Sequence, residues 1–259
     1  MGSNAIVVLL VFAIMPVILG VFQKYFSTKQ IEEDKQFNIQ ELTVKFKKWD
    51  IFNQLFGMIL MAASAYIWYQ ALVFLSNQHN QELIARSSFF VPPSIGFWIL
   101  TAMFLGIACG AVLAFMSLGF LLGNDFGLYV RYYNLKYGFD AYNLLKPLLI
   151  FVSAVGFMVA ILGFNMYSGF TSSEIIIGHF GFGAARYSYN DVAAVKYIMK
   201  FKAPNGSIKD KPHIVINFND GKKWNSRNRG YNSIYKNEAL AELVANKNGK
   251  PIERIEFDR

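Results

Sequence analysis

Four long apolar stretches with no Asp, Glu, Lys, Arg or His in their interiors constrain this chain most: Ala5–Phe22, about Ile51–Leu75, about Ile95–Leu122 and about Pro147–Phe164. A helix of about 20 apolar residues crosses a hydrocarbon core about 30 Å thick. Backbone in lipid has to satisfy its polar groups within the segment, which makes these stretches helices. Four transmembrane helices are therefore expected. Composition agrees: 54% of the 259 residues are hydrophobic and 16% charged, against about 25% charged in soluble domains. That excludes disorder, a coiled coil and an ordinary soluble enzyme. The N-terminal Met1-Gly2-Ser3-Asn4 has no Lys or Arg, so the first stretch is expected to be a permanent span and not a cleaved leader.

Short-loop charges set the expected orientation. The first loop carries Lys24, Lys29, Lys35, Lys45, Lys47 and Lys48, and the third Arg131, Lys136 and Lys146, while the second has only Arg86. The first and third loops are thus expected in the cytoplasm. The N-terminus, the second loop and the C-terminal domain are expected outside it. That domain is basic, with fifteen Lys plus Arg against nine Asp plus Glu over residues 169–259, but long segments translocate largely regardless of charge.

Trp49, Trp68, Tyr69 and Trp98 lie near span ends, as an aromatic belt requires. Phe37–Trp49 mixes apolar residues with lysines, and reads either as a surface-lying helix or as a solvated lead-in to the second span. The Tyr-rich third loop reads as an interfacial helix-turn-helix with Arg131 and Asp140 available for pairing, and Pro147 fits the first turn of the next helix. In the third span Gly106 and Gly110, then Gly119 and Gly123, are spaced for close helix contact. That contact is either packing within the bundle or a homo-oligomer through the third helix.

From residue 169 the pattern changes to short β-rich runs and polar turns. Strands are expected at Glu174–Phe180, Phe182–Tyr187, Asp191–Phe201, His213–Phe218 and Lys222–Asn225, with a tight turn at Asn219-Asp220-Gly221. An amphipathic helix is expected at Ser233–Asn246, its stripe formed by Ile234, Leu240, Leu243 and Val244. The element Tyr187-Ser188-Tyr189-Asn190-Asp191-Val192, the Asp220-Gly221-Lys222-Lys223-Trp224 hairpin and the final helix resemble bacterial pleckstrin-homology-like domains. The resemblance implies a small bent sheet or barrel capped by a helix, in a bacterial plasma-membrane protein, with about seven strands where five are legible. It implies no particular ligand. The expected division is a transmembrane four-helix domain over 1–168 and an α+β domain over 169–259.

Signatures of chemistry are few. His79, His179 and His213 lack a second ligand at metal spacing, the lone Cys109 sits mid-span, and Gly-x-Ser-x-Gly is absent. The run Gly178–Gly183 (GHFGFG) lacks the Lys-Ser/Thr of a phosphate loop and reads as a hairpin turn. Catalytic, metal and cofactor sites are not expected. The polar residues of the spans (Asn53, Gln54, Ser64, Thr101, Ser117, Ser153 and Asn165) are neutral, which argues against ion-coupled transport. What remains is the mix of cations and an aromatic at Lys222, Lys223, Trp224, Arg227 and Arg229. It reads as a surface for membrane lipid headgroups or a protein partner, or as a solvated strand edge. Nucleic acid is not an expected partner for a domain outside the cytoplasm. The expected function is a non-enzymatic binding or regulatory membrane protein. The alternatives are a membrane immunity protein that neutralises a toxin and a small transporter or channel.

Overall fold

A computed structural model of the chain describes residues 38–202, 206–229 and 234–257. The expected first span, Ala5–Phe22, lies outside them, as do Lys24, Lys29 and Lys35. In chain order the elements are α1 (Ile39–His79), α2 (Gln81–Arg86), β1 (Ser87–Val91), α3 (Ile95–Leu122), α4 (Phe126–Tyr137) and α5 (Ala141–Gly163). There follow β2 (Ser168–Thr171), β3 (Glu174–Gly178), β4 (Ala184–Ser188), β5 (Val192–Lys202), β6 (Ile208–Phe218), β7 (Lys223–Asn225), α6 (Ile234–Asn248) and β8 (Ile252–Phe257). Three helical stretches among the described residues, containing α1, α3 and α5, are long and apolar enough to cross a membrane. The chain folds into two compact units, Met1–Ala71 with Leu100–Met158, and Leu72–Ile99 with Val159–Arg259.

The described residues of the first unit are helical. With 41 residues, α1 is about 60 Å long at 1.5 Å per residue, about twice what a bilayer core needs. Its lysine-rich start therefore runs straight into the second expected span. Leu42 and Phe46 of that start are buried against Leu118, Tyr129 and Tyr132. Backbone closeness explains the first glycine pair of α3: a Cβ on Gly106 would run into the Ala65 backbone, and one on Gly110 into that of Met61. This glycine face is taken up by the chain's own α1, and Trp68 Nε1 donates to Cys109 Sγ across the same contact at 3.3 Å. The second pair differs from expectation. Gly119 only touches the Phe126 ring at 3.8 Å, and Gly123 leaves the helix at φ +49° with nothing within 4 Å. Gly123 therefore acts as a left-handed helix stop, and among the described residues neither glycine brings two backbones together.

The expected helix-turn-helix of the third loop is α4, a turn at Gly138 (φ 72°) and the start of α5. Pro147 is inside α5 and not in its first turn. The reason is upstream: the Asp140 carboxylate accepts from Asn143 N at 3.0 Å and Asn143 Nδ2 at 2.8 Å. This caps the helix well before the proline.

Among the described residues the second unit holds eight strands, in two four-stranded sheets ordered β1-β2-β3-β4 and β7-β6-β5-β8. Three strands lie outside the expected set. β1 comes from the loop between the second and third expected spans and pairs antiparallel with β2, Phe89 opposite Phe170. β8 follows α6 and runs parallel to β5. Because β1 and β2 share hydrogen bonds, that loop and the sheet domain stand on one side of any membrane that α3 and α5 cross. The Tyr-x-Tyr-x-Asp-Val element is the corner between the sheets. There Asp191 accepts from Ser188 N at 2.7 Å, Ser188 Oγ accepts from Asn190 N at 3.2 Å, and Tyr189 donates to Thr171 O at 2.7 Å. Ile175, Ile177, Val195, Ile214, Ile216 and Phe218 fill the core, closed by Leu240, Ala241 and Val244 of α6.

Candidate anion-binding pocket

The best concentration of unspent charge is in the second unit, where the β3–β4 hairpin faces the β6–β7 hairpin. A cavity of about 210 Å³ is lined there by His179, Tyr187, Lys222, Lys223, Asn228 and Arg229, with Ile177, Phe218 and Trp224 among its apolar lining.

Each polar group has a local reason for its place. The turn Asn219-Asp220-Gly221 reverses the chain, and Asp220 Oδ1 accepts from Lys222 N at 3.0 Å. Tyr187 donates to Asp220 Oδ2 at 3.2 Å, and Lys222 Nζ lies 3.4 Å from the same oxygen. The backbone N–H of Lys222, then its ammonium and the Tyr187 hydroxyl, hold the Asp220 carboxyl below its ordinary pKa against a smaller opposing effect of burial. Ser226 then prolongs the edge of β6, its N–H donating to Ile214 O and its Oγ accepting from Ile214 N. A 3-10 turn at Arg227–Arg229 follows, started by Arg227 N donating to Asn225 Oδ1 at 2.9 Å. That turn aims Arg229 back across the pocket, where its Nη1 donates to Gly178 O at 2.9 Å. His179 is the next residue along. Burial, then the charges of Arg229 and Lys222, push its pKa below the ordinary histidine value.

The five residues expected at a binding surface therefore divide. Lys222, Lys223 and Arg229 converge on one cavity. Arg227 does not: its guanidinium stacks 3.7 Å over the Phe201 ring. Trp224 is a correction. It is 2% exposed, its Nε1 donates to Ser168 Oγ at 2.9 Å, and its ring meets Phe170 edge-on at 5.1 Å. Alternation along β7 turns Trp224 into the core, so it is a core residue that walls the pocket from within, while Lys223 and Asn225, on the other face of the strand, border both this cavity and a larger one of about 650 Å³ beside Lys196 and Asn217. Nothing local in the sequence marks His179, Tyr187 or Asn228 as companions of the lysines, because they meet only when the two sheets close. Of the histidines, His213 is buried on β6 and His79 tilts against the Phe164 ring.

In chemical terms the cavity is bordered by two lysines, one arginine, two asparagines and a titratable imidazole, with a single nearby carboxylate, Asp220, that offsets one charge. Cations and amides of this kind are the groups that pair with an anion of phosphate geometry. Among the described residues no group of three or more His, Cys, Asp or Glu is placed to hold a metal ion.

A second polar cluster lies in the helical unit. Asp50, 8% exposed, accepts from Tyr129 at 3.1 Å, Tyr132 at 2.6 Å and Lys136 Nζ at 2.6 Å. Both carboxylate oxygens are engaged, and the cluster clamps α4 to α1. Comparison of the chain with family models, with curated proteins and with solved structures finds no match.

Proposed function

We propose that this protein is a membrane-anchored, non-enzymatic binding protein whose sheet domain captures the phosphate of an anionic lipid headgroup. In this reading Ala5–Phe22 is a fourth span, and the two-sheet domain closed by α6 is pleckstrin-homology-like, modified by the borrowed β1 and the trailing β8. In the same reading the domain lies outside the cytoplasm of a bacterial cell, a side that the short-loop charges support. The observation that carries the reading is the convergence of Lys222, Lys223, Arg229 and His179 on one cavity. Its position favours a lipid over a soluble anion. His179 belongs to the hairpin tied to the end of α5, where Asn165 Nδ2 donates to Gly181 O at 2.7 Å and Gly181 N donates to Leu162 O at 3.2 Å. The cavity thus opens near the end of a spanning helix, where headgroups are.

The test is native mass spectrometry of the detergent-solubilised full chain with phosphatidic acid, phosphatidylcholine or inorganic phosphate. Phosphatidic acid is expected to bind best. The double substitution Lys222→Ser/Lys223→Ser removes charge-assisted bonds of about 1.5–3 kcal/mol each, which is at least about tenfold in affinity. Arg227→Ser changes nothing. Equal retention of phosphatidic acid by the double variant would refute the reading. Tight inorganic phosphate without lipid preference would replace the headgroup by a soluble anion.

A further inference from the structure

The hairpin that joins β3 to β4, His179-Phe180-Gly181-Phe182-Gly183, bears an aromatic that the fold leaves outside. Phe182 is 84% exposed, the second most exposed of the large hydrophobic side chains after Phe120 on α3. Unlike Phe120 it sits on a polar-rich domain, at the tip of a turn. A ring that exposed in water forgoes about 1.5–3 kcal/mol of burial, which makes it a candidate contact with something apolar.

What it touches follows from how the hairpin is held. Gly181 bonds to α5 through the Leu162 carbonyl and to the following turn through Asn165. The neighbouring Phe180 ring meets Phe97, in the first turn of α3, edge-on at 6.2 Å between centroids. A Cβ on Gly163, the last residue of α5, would overlap that Phe97 ring. A Cβ on Gly178, at the root of the hairpin, would overlap the carbonyl of Asn165. The hairpin is therefore docked on the adjoining ends of two helices, and only glycines permit so close a fit. Those ends carry further exposed apolar side chains, Ile95 at 66% and Ile161 at 52%. Trp98 and Phe164, tilted against each other at 5.4 Å between centroids, mark the same level as an aromatic belt does.

We propose that Phe182 inserts into the leaflet crossed by α3 and α5, as an interfacial anchor that fixes the sheet domain at the lipid surface. The partner is the acyl–headgroup boundary of the bilayer, into which interfacial aromatics reach about 5–10 Å. The inference rests on the spanning helices and the docked hairpin, and holds whether or not the neighbouring cavity takes a phosphate.

The test places a nitroxide at position 182. In the full-length protein with Cys109→Ala, the substitution Phe182→Cys is spin-labelled and the protein is reconstituted into phosphatidylcholine bilayers. Ile208→Cys, at a site 58% exposed on β6 with no such tie to a helix end, is the control. The side chain at 182 makes no core contact, so the substitution leaves the fold standing. Expected is a ratio of oxygen to nickel-chelate collision rates several times higher at 182 than at 208. Equal ratios would place the tip in water and overturn the proposal. A label shielded from both collision partners would also overturn it, and would show protein, from a second copy or another chain, covering the tip.

Discussion

Replacing Asp50 tests whether the helical unit is organised as described. Its carboxylate takes three donors in a site 8% exposed, two phenols and the Lys136 ammonium. Asp50→Ala removes the shared acceptor of all three and leaves Lys136 only the Tyr132 oxygen, and breaking a buried ion pair from one side costs about 3–5 kcal/mol. Lys136 is 36% exposed and recovers some hydration, so the low end, about 3 kcal/mol, is expected. At about 2–4 °C per kcal/mol for a protein of this size, that is a fall of about 6–12 °C in Tm. Single donors weigh less. Tyr132→Phe removes the 2.6 Å bond and costs about 1.5–3 kcal/mol, while Tyr129→Phe removes the longer 3.1 Å bond and costs about 1 kcal/mol. Asp50→Ala with Lys136→Met should cost less than the sum of the two, since neither charge is then left alone. The assay is thermal unfolding of the detergent-solubilised protein followed by near-ultraviolet circular dichroism, which reads the Tyr cluster directly. A loss below about 1 °C for Asp50→Ala would show that water reaches the carboxylate and that α4 is not clamped to α1.

Substitution of Gly106 or Gly110 by Leu should prevent α1 and α3 from meeting and abolish the folded protein on size-exclusion, whereas Gly119→Ala, beside a ring at 3.8 Å, should be nearly silent. Burial pushes the Tyr189 phenol from 10.0 up to about 12. The unfolded chain then ionises first, so stability is intact below pH 10 and about 2–3 kcal/mol is lost as pH rises from 10 to 12; alkaline titration that shows no such loss would contradict the buried position. For His179 the sign reverses. With its folded pKa lowered, stability is full above pH 6.5 and declines as pH falls below it, because the unfolded chain takes the proton first. A bound phosphate should offset that decline, and His179→Gln should remove both effects in a pH series of melting curves.

How far residues foretold structure can be judged element by element. The spans containing α1, α3 and α5 were legible because uncharged length alone decides them. β3 to β7 were legible because alternation and the Asn219-Asp220-Gly221 turn are local signals. β2 was not, since all four of its residues are buried and no alternation survives when both faces are covered. β1 was hidden for another reason: Ser87–Val91 is a loop by its neighbours, and its partner is far along the chain. β8 does alternate, Ile252 and Ile255 among charged residues, but a parallel mate announces itself by no hairpin turn. Half of the site was visible in Lys222, Lys223 and Arg229. Trp224 was misjudged because an aromatic among cations looks like a surface, although its place in β7 turns it inward. Asp50 marked only the edge of an apolar stretch, and its phenol donors lie on α4, a helix distant in sequence.

The borrowed strand has a consequence for synthesis. β1 leaves the ribosome long before β2, with residues 92–167 between them, which hold two helices, α3 and α5, long and apolar enough to cross a membrane. In a chain that inserts both helices, Phe89, Phe90 and Val91 have no strand to pair with until Ser168 has arrived on their side. Closure of the first sheet would then report that insertion of α3 and α5 is complete. An inverted hairpin would strand β1 and β2 on opposite sides, leaving an open edge for quality-control proteases to find. Correct topology and a finished domain become one event, checked by the same few hydrogen bonds.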